Sequence, residues 1–183
     1  MVTACARVLT TDGYEKASVN RIAELAGVSI GSLYQYFPTK EALVAAVIKR
    51  HSEAMIARFE RDLGDVAFLP MREAAREVIA RALAAMAVEP ELHRVIMEQV
   101  PRVGELIRPR EFEERVAFLL RAYLEFHRHE IRPMNLDVAV DVLVTCVEAV
   151  ANAMVLRDKR NAVRDEVIDE LAILVLRYVE RTE

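Results

Sequence analysis

The residues best placed to act together lie between Ser18 and Lys40, and they are small and polar. Ser29, Gly31, Ser32, Gln35, Thr39 and Lys40 follow one another at short intervals, interleaved with Tyr34 and Tyr36. No nucleophile stands at a recognisable spacing from a base. There is no phosphate-binding loop, dinucleotide fingerprint or G-x-S-x-G elbow. What such a set does well is form hydrogen bonds to a large polar partner. Gln35 carries a donor and an acceptor in one plane, which matches the major-groove edge of adenine and is worth about 1–3 kcal/mol of discrimination. The Ser29 and Thr39 hydroxyls, the Lys40 ammonium and the N–H groups of a helix starting after Pro38 suit phosphate. Gly31 lets another backbone come close, at a cost of about 1 kcal/mol relative to Ala inside a helix.

Other reactive side chains read as structural. His127 and His129 are two residues apart, and on a helix such a pair points about 200° apart and does not converge on one ion. His51 and His93 lie far away in sequence, and no Cys or carboxylate completes a ligand spacing. No metal or cofactor is expected. Cys5 and Cys146 make no disulfide framework and suit a reducing compartment. The run Glu111-Phe112-Glu113-Glu114 reads as a solvated helix face.

Short helices must position the polar set. Val2–Leu9 is an apolar helix that stops before Asp12-Gly13. Ser18 caps a helix whose inward residues are Val19, Ile22 and Leu25/Ala26, and Gly27 ends it. After a turn of about three residues, Ser29 opens another helix that closes at Tyr36-Phe37-Pro38. Thr39 then caps a long helix from Lys40 to about Asp62. Two short helices around a tight Gly turn form a helix-turn-helix, whose second helix enters a DNA major groove. At about 100° per residue, Ile30, Leu33 and Phe37 fall on the core side of that second helix. Gly31, Ser32 and Gln35 fall opposite, between Tyr34 and Tyr36, on a face narrow enough for a groove about 12 Å wide.

The stretch from Gly13-Tyr14-Glu15 through Ser18-Val19, Ile22-Ala23, Ala26-Gly27-Val28-Ser29, Gly31-Ser32-Leu33-Tyr34 and Tyr36-Phe37-Pro38-Thr39-Lys40-Glu41 to Leu43 resembles the DNA-binding module of the TetR family of bacterial transcriptional regulators. The likeness spans about Val2 to Arg50 without a gap. It implies an all-α homodimer carrying two such modules, repressing transcription until a small ligand binds the second part. It places DNA contacts on Ser29, Ile30, Gly31, Ser32, Tyr34, Gln35, Tyr36, Thr39 and Lys40, with Arg21 and Ser18 at the margin. It also implies a basic arm before the first helix, whereas the sequence opens inside that helix.

The division expected is 1–50 for the helix-turn-helix module and 51–183 for a helical ligand-binding and dimerisation domain. Breaks in the second part fall at Gly64–Pro70, Glu89-Pro90, Pro101–Pro109, Arg132-Pro133 and Arg157–Ala162. Helix 135–156 confines its polar residues to one stripe, Asp137, Asp141, Thr145, Glu148 and Asn152, and is apolar elsewhere. A helix apolar over so much of its circumference needs many neighbours. Ala149 and Ala153 on it, with Leu171, Leu174, Val175 and Tyr178 on the last helix, suit a four-helix interface across a two-fold axis. The resemblance implies a ligand pocket among helices 71–89, 110–131 and 135–156 and the end of 40–62. Candidate lining residues are Phe59, Met86, Met97, Phe118, Tyr123, His127 and Cys146.

Composition fits this division. The chain has 183 residues, 54% hydrophobic, with five Gly and six Pro, too apolar and breaker-poor to be disordered. The net charge of −4 conceals an asymmetry: residues 1–50 carry +2 and the remainder −6, which suggests two parts with different partners. Asp141, Glu148 and Asn152 interrupt the most apolar segment, and a lipid-facing span rarely carries such groups. The reading is a cytoplasmic, non-enzymatic, ligand-responsive regulator whose partners are operator DNA, a second copy of itself and a small molecule. The alternative is a helical protein-interaction adaptor whose first module is only structural.

Overall fold

The structure is a computed structural model of the chain and describes residues 1–63, 66, 68–99, 111–156 and 164–181. Among them are nine helices, with no strand beyond an isolated antiparallel bridge between Ile131 and Glu180. The chain divides into two compact units, Met1–Ala54 with Glu89–Pro109, and Met55–Val88 with Arg110–Glu183.

The first unit holds α1 (Val2–Lys16), α2 (Val19–Ala26), α3 (Ile30–Tyr36), the start of α4 (Lys40–Leu63) and α6 (Pro90–Gln99). The first helix runs further than its sequence suggests. It continues through Asp12 until Gly13, at φ 76° and ψ 168°, breaks it. That left-handed corner is tied to α6: the Tyr14 N–H donates to Gln99 Oε1 at 2.7 Å, and a Cβ on Gly13 would stand 3.0 Å from the same oxygen. Leu92, Val95 and Ile96 of α6 share one apolar core with Cys5, Leu9, Ile22, Leu33, Leu43 and Val47. The packing unit is therefore not a simple 1–50 segment, because a helix from much later in the chain completes it. Inside this unit His51 Nε2 and His93 Nδ1 lie 3.1 Å apart, and His51 Nδ1 is 3.5 Å from Glu89. Burial, then the neighbouring His93, holds the His51 pKa below its ordinary value.

The second unit holds the end of α4, α5 (Met71–Met86), α7 (Glu111–Phe126), α8 (Leu136–Leu156) and α9 (Arg164–Val179). Asn135 caps α8, its Oδ1 accepting from the Asp137 N–H at 3.0 Å. Arg132 fastens the start of this segment to the end of α9: its N–H donates to Val179 O, its Nε to Tyr178 O, and its guanidinium lies over the Tyr178 ring. His127 and His129 are not on a helix. They lie in the turn beyond α7 with rings stacked at 6.5 Å, and both nitrogens reach Glu130. The 200° separation expected for them fails because the helix has already ended. The breaks expected at Pro101–Pro109 and Arg157–Ala162 lie outside the described residues, as do residues 64, 65 and 67 of the one at Gly64–Pro70. Pro90 takes the first position of α6, where its missing N–H has no intrahelical partner to lose. No described helix is long and apolar enough to cross a membrane.

Candidate functional site

The helix-turn-helix is fixed by local bonds. Ser18 Oγ accepts from the Arg21 N–H at 3.2 Å and starts α2. Gly27 ends it in the left-handed conformation at φ 66°, which a residue with a Cβ adopts at a cost. The Val28 N–H then closes back onto Ala23 O at 3.1 Å. One residue later Ser29 caps α3, its Oγ accepting from the Ser32 N–H at 3.0 Å, and Thr39 Oγ1 accepts from the Ala42 N–H at the start of α4. Leu33 is fully buried and Phe37 half-buried, and together they anchor α3 to the unit's core.

The opposite face of α3 is open. Gly31 and Gln35 are exposed, Tyr34 is 47% exposed and Tyr36 72%. A Cβ added at Gly31 would meet nothing closer than Ser29 Oγ at 3.8 Å, so packing within the unit does not require glycine there. Ile30 is 43% exposed, against the expectation that it faces the core. With only seven residues, α3 buries just Leu33 fully, and a wheel that groups Ile30 with Leu33 overstates the width of the buried face. Leu25, expected inward, is likewise exposed. Ile30 and Leu25 thus flank the turn with apolar surface.

The polar residues have partners already. Ser29 and Ser32 hydroxyls lie 2.9 Å apart. Capping occupies one acceptor site on Ser18, Ser29 and Thr39, and a hydroxyl so engaged still has its proton to donate. Arg21 sits 3.4 Å from Asp12 and 4.0 Å from Glu24. Lys40 Nζ donates to Tyr14 O at 2.6 Å and lies 4.2 Å from the centre of the Tyr14 ring. Lys40 therefore also holds the Gly13 corner against α4, a role its sequence position does not announce.

Within the second unit α4, α5, α7, α8 and α9 enclose a cavity of about 440 Å³, in the size range of small-molecule sites. Of the candidate lining residues, Phe59, Met86 and Tyr123 border it. Met97 instead packs against the first unit's core, Phe118 is exposed, and His127 and Cys146 do not reach the cavity. Val175, Leu176 and Val179 bring α9 into the wall, which the expected set of helices leaves out. Glu113 is also in that wall, where a solvated helix face was expected. Its Oε2 is shut off from solvent with no hydrogen-bond partner among the described residues. Burial, reinforced by Glu148, pushes its pKa up to about 7.

Two successive segments of the chain match known families. Residues 2–47 match bacterial regulatory proteins of the tetR family, and residues 70–178 match the tetracyclin repressor-like C-terminal domain. The chain belongs to the TetR family. That family consists of transcriptional regulators, not enzymes. The fatty acid metabolism regulator of Bacillus subtilis is 27% identical over 124 residues, which are 68% of this chain and 60% of that protein. The transcriptional repressor KstR of Mycolicibacterium smegmatis is 33% identical over 61 residues, 33% of this chain and 30% of the relative. This TetR-family chain thus aligns with less than two thirds of the length of these curated relatives. The B. subtilis FadR structure in complex with stearoyl-CoA superposes with a TM-score of 0.73 at 20% identity, covering 98% of this chain and 97% of that one. A TetR-family structure from Mesorhizobium loti reaches 0.77 at 19% identity, covering 98% and 95%. At these identities the structural likeness speaks for the fold.

The residues expected at a dimer interface divide in this TetR-family fold. Leu171 is buried in the second unit's core, Val175 lines the cavity, and Tyr178 is half-buried under Arg132. Leu174 and Ala149 are exposed and Ala153 half-exposed. Val138 and Val142 on α8 and Ile173 on α9 join them as exposed apolar residues. The sequence signal for the two valines was their spacing of eleven and seven residues from Ala149, which puts them on one face of α8, and for Ile173 its place beside Leu174.

Proposed function

We propose that the chain is a ligand-responsive DNA-binding regulator, a repressor that binds a (pseudo)palindromic operator as a homodimer and is released by a small molecule. The observation that carries this reading is the open face of α3, where Gly31 and Gln35 stand exposed between two tyrosines with no packing reason for the glycine. Phosphate contacts fall to the hydroxyls of Ser29 and Thr39, with Lys40, Arg21 and Ser18 at the edges, and base contacts to Gln35, Ser32 and the Ile30–Tyr36 flank. The exposed apolar residues of α8 and α9, Val138, Val142, Ala149, Ile173 and Leu174, support a two-fold helical interface. The cavity supports an effector.

Helix α4 gives the two sites a common part. It contributes Leu43, Val44 and Val47 to the core behind α3, and Phe59 and Leu63 to the cavity wall. Effector binding in the cavity shifts α4 and alters the separation of the two recognition helices in the dimer. That separation must match one turn of DNA, about 34–36 Å, or a multiple of it. A mismatch of a few ångströms releases one half-site and most of the affinity.

The test is a gel-shift titration of the dimer against DNA flanking its own gene, with sedimentation at micromolar concentration alongside. A sequence-selective shift by a sedimenting dimer supports the reading. A folded monomer, or no selective shift at moderate salt, leaves the helix-turn-helix as a structural corner of a helical adaptor.

A further inference from the structure

The cavity is apolar almost everywhere, and its exceptions all have one sign. Among its described lining residues Glu113 of α7 and Glu148 of α8 are the charged ones, with no Lys, Arg or His. The Tyr123 hydroxyl is already committed to Leu69 O at 3.3 Å. Asn152 donates to Glu148 Oε1 at 3.3 Å, which leaves Glu113 Oε2 as the buried oxygen with no partner. A buried carboxyl oxygen left without a donor is destabilised, and among the described residues none donates to it. Burial, reinforced by the neighbouring Glu148, keeps the Glu113 proton in the empty cavity up to about pH 7. A ligand that brings positive charge removes the need for that proton.

We propose that this cavity takes an apolar cation, an amphiphile whose ammonium group lies between Glu113 and Glu148 while its hydrocarbon fills the space lined by α5 and α9. This rests on the ligand-responsive reading above and names the class of its effector. Among the described lining residues an anion of the same size would meet two carboxylates and no counter-charge. A neutral amphiphile gains from the apolar wall alone. The aromatic faces of Phe59, Phe112 and Tyr123, all in the wall, add attraction for a desolvated cation.

The proton balance makes the proposal measurable. The described groups facing Glu113 are Glu148 on α8 and Glu114 on its own helix, and the described lining residues of α4, α5 and α9 are uncharged. Cation binding therefore expels the Glu113 proton to solvent, and cation affinity rises from pH 6 to pH 8, whereas that of a neutral amphiphile stays flat.

The experiment is calorimetric titration of the full chain with decyltrimethylammonium, decanoate and decanol, each below its micelle or solubility limit. At pH 8 the cation binds at least tenfold more tightly than the anion. In Glu113→Gln/Glu148→Gln, an isosteric change whose folding is checked by thermal melting, the preference disappears and decanol binds as before. Equal or tighter binding of decanoate, an unchanged preference in the double variant, or no binding of any probe overturns the proposal. Operator titration of the same samples separates the two claims. Selective DNA binding without cation preference overturns the effector class alone, and cation preference without DNA binding overturns the regulator reading alone.

Discussion

Replacing Gly31 with alanine separates folding from DNA reading, because the two respond with opposite sign. In the free protein a methyl at this position reaches only Ser29 Oγ, at 3.8 Å, an ordinary contact. Gly31 is not among the glycines with positive φ, so alanine adopts its backbone without strain. Alanine is favoured over glycine by about 1 kcal/mol in a helix interior. Gly31 is the second residue of α3, where helical constraint is partial, so a gain of about 0.5 kcal/mol is the fair figure. For a chain of this length that is a rise of about 1–2 °C in Tm. On DNA the same methyl stands in the groove, and forcing a methyl into a packed interface costs about 1–3 kcal/mol, a loss of roughly fivefold to 150-fold in operator affinity. Urea unfolding and anisotropy with labelled operator at fixed salt measure both. Undiminished affinity in a stabilised variant would show that this face of α3 does not enter the groove. A loss of stability would show that the glycine serves the fold.

Gln35→Ala weakens discrimination at one base pair by about 1–3 kcal/mol and leaves affinity for sites altered there nearly unchanged, which a panel of single-base operator variants reads. Lys40→Ala lowers affinity for all sequences and flattens the salt dependence by about one ion. It also lowers Tm, since the bond to Tyr14 O and the ring contact are lost with it. The His51 pKa lies below its ordinary value, so the unfolded chain takes up a proton that the folded chain refuses. Stability is therefore full above about pH 6.5 and is lost as pH falls below it. Thermal melts from pH 7.5 to pH 5 show that fall, and it is shallower in His51→Gln.

What the sequence made legible was what is decided locally. Ser18, Gly27, Ser29 and Thr39 act within three or four residues of themselves, and each caps where its type and position predict. The open face of α3 follows from the same short range. What the sequence hid depends on distant partners. Gln99 holds the Gly13 corner from 85 residues away, and nothing near either residue signals it. His51 and His93, dismissed as far apart, meet because α6 folds into the first unit. Glu113 sits in an acidic run that normally faces water, and only the packing of α7 against α8 turns it into the cavity. Ile30 failed for a different reason, since helical periodicity gives the direction of a side chain and not how far the core extends beneath it.

The central claim, that α3 reads DNA by sequence, is tested most directly by anisotropy titration of the dimer with DNA flanking its own gene and with scrambled DNA of equal length, at the same salt. The reading predicts half-saturation below micromolar on the native sequence, tighter than on the scrambled DNA by a factor of about a thousand or more. Equal affinity for the two, by folded and dimeric protein, would contradict it.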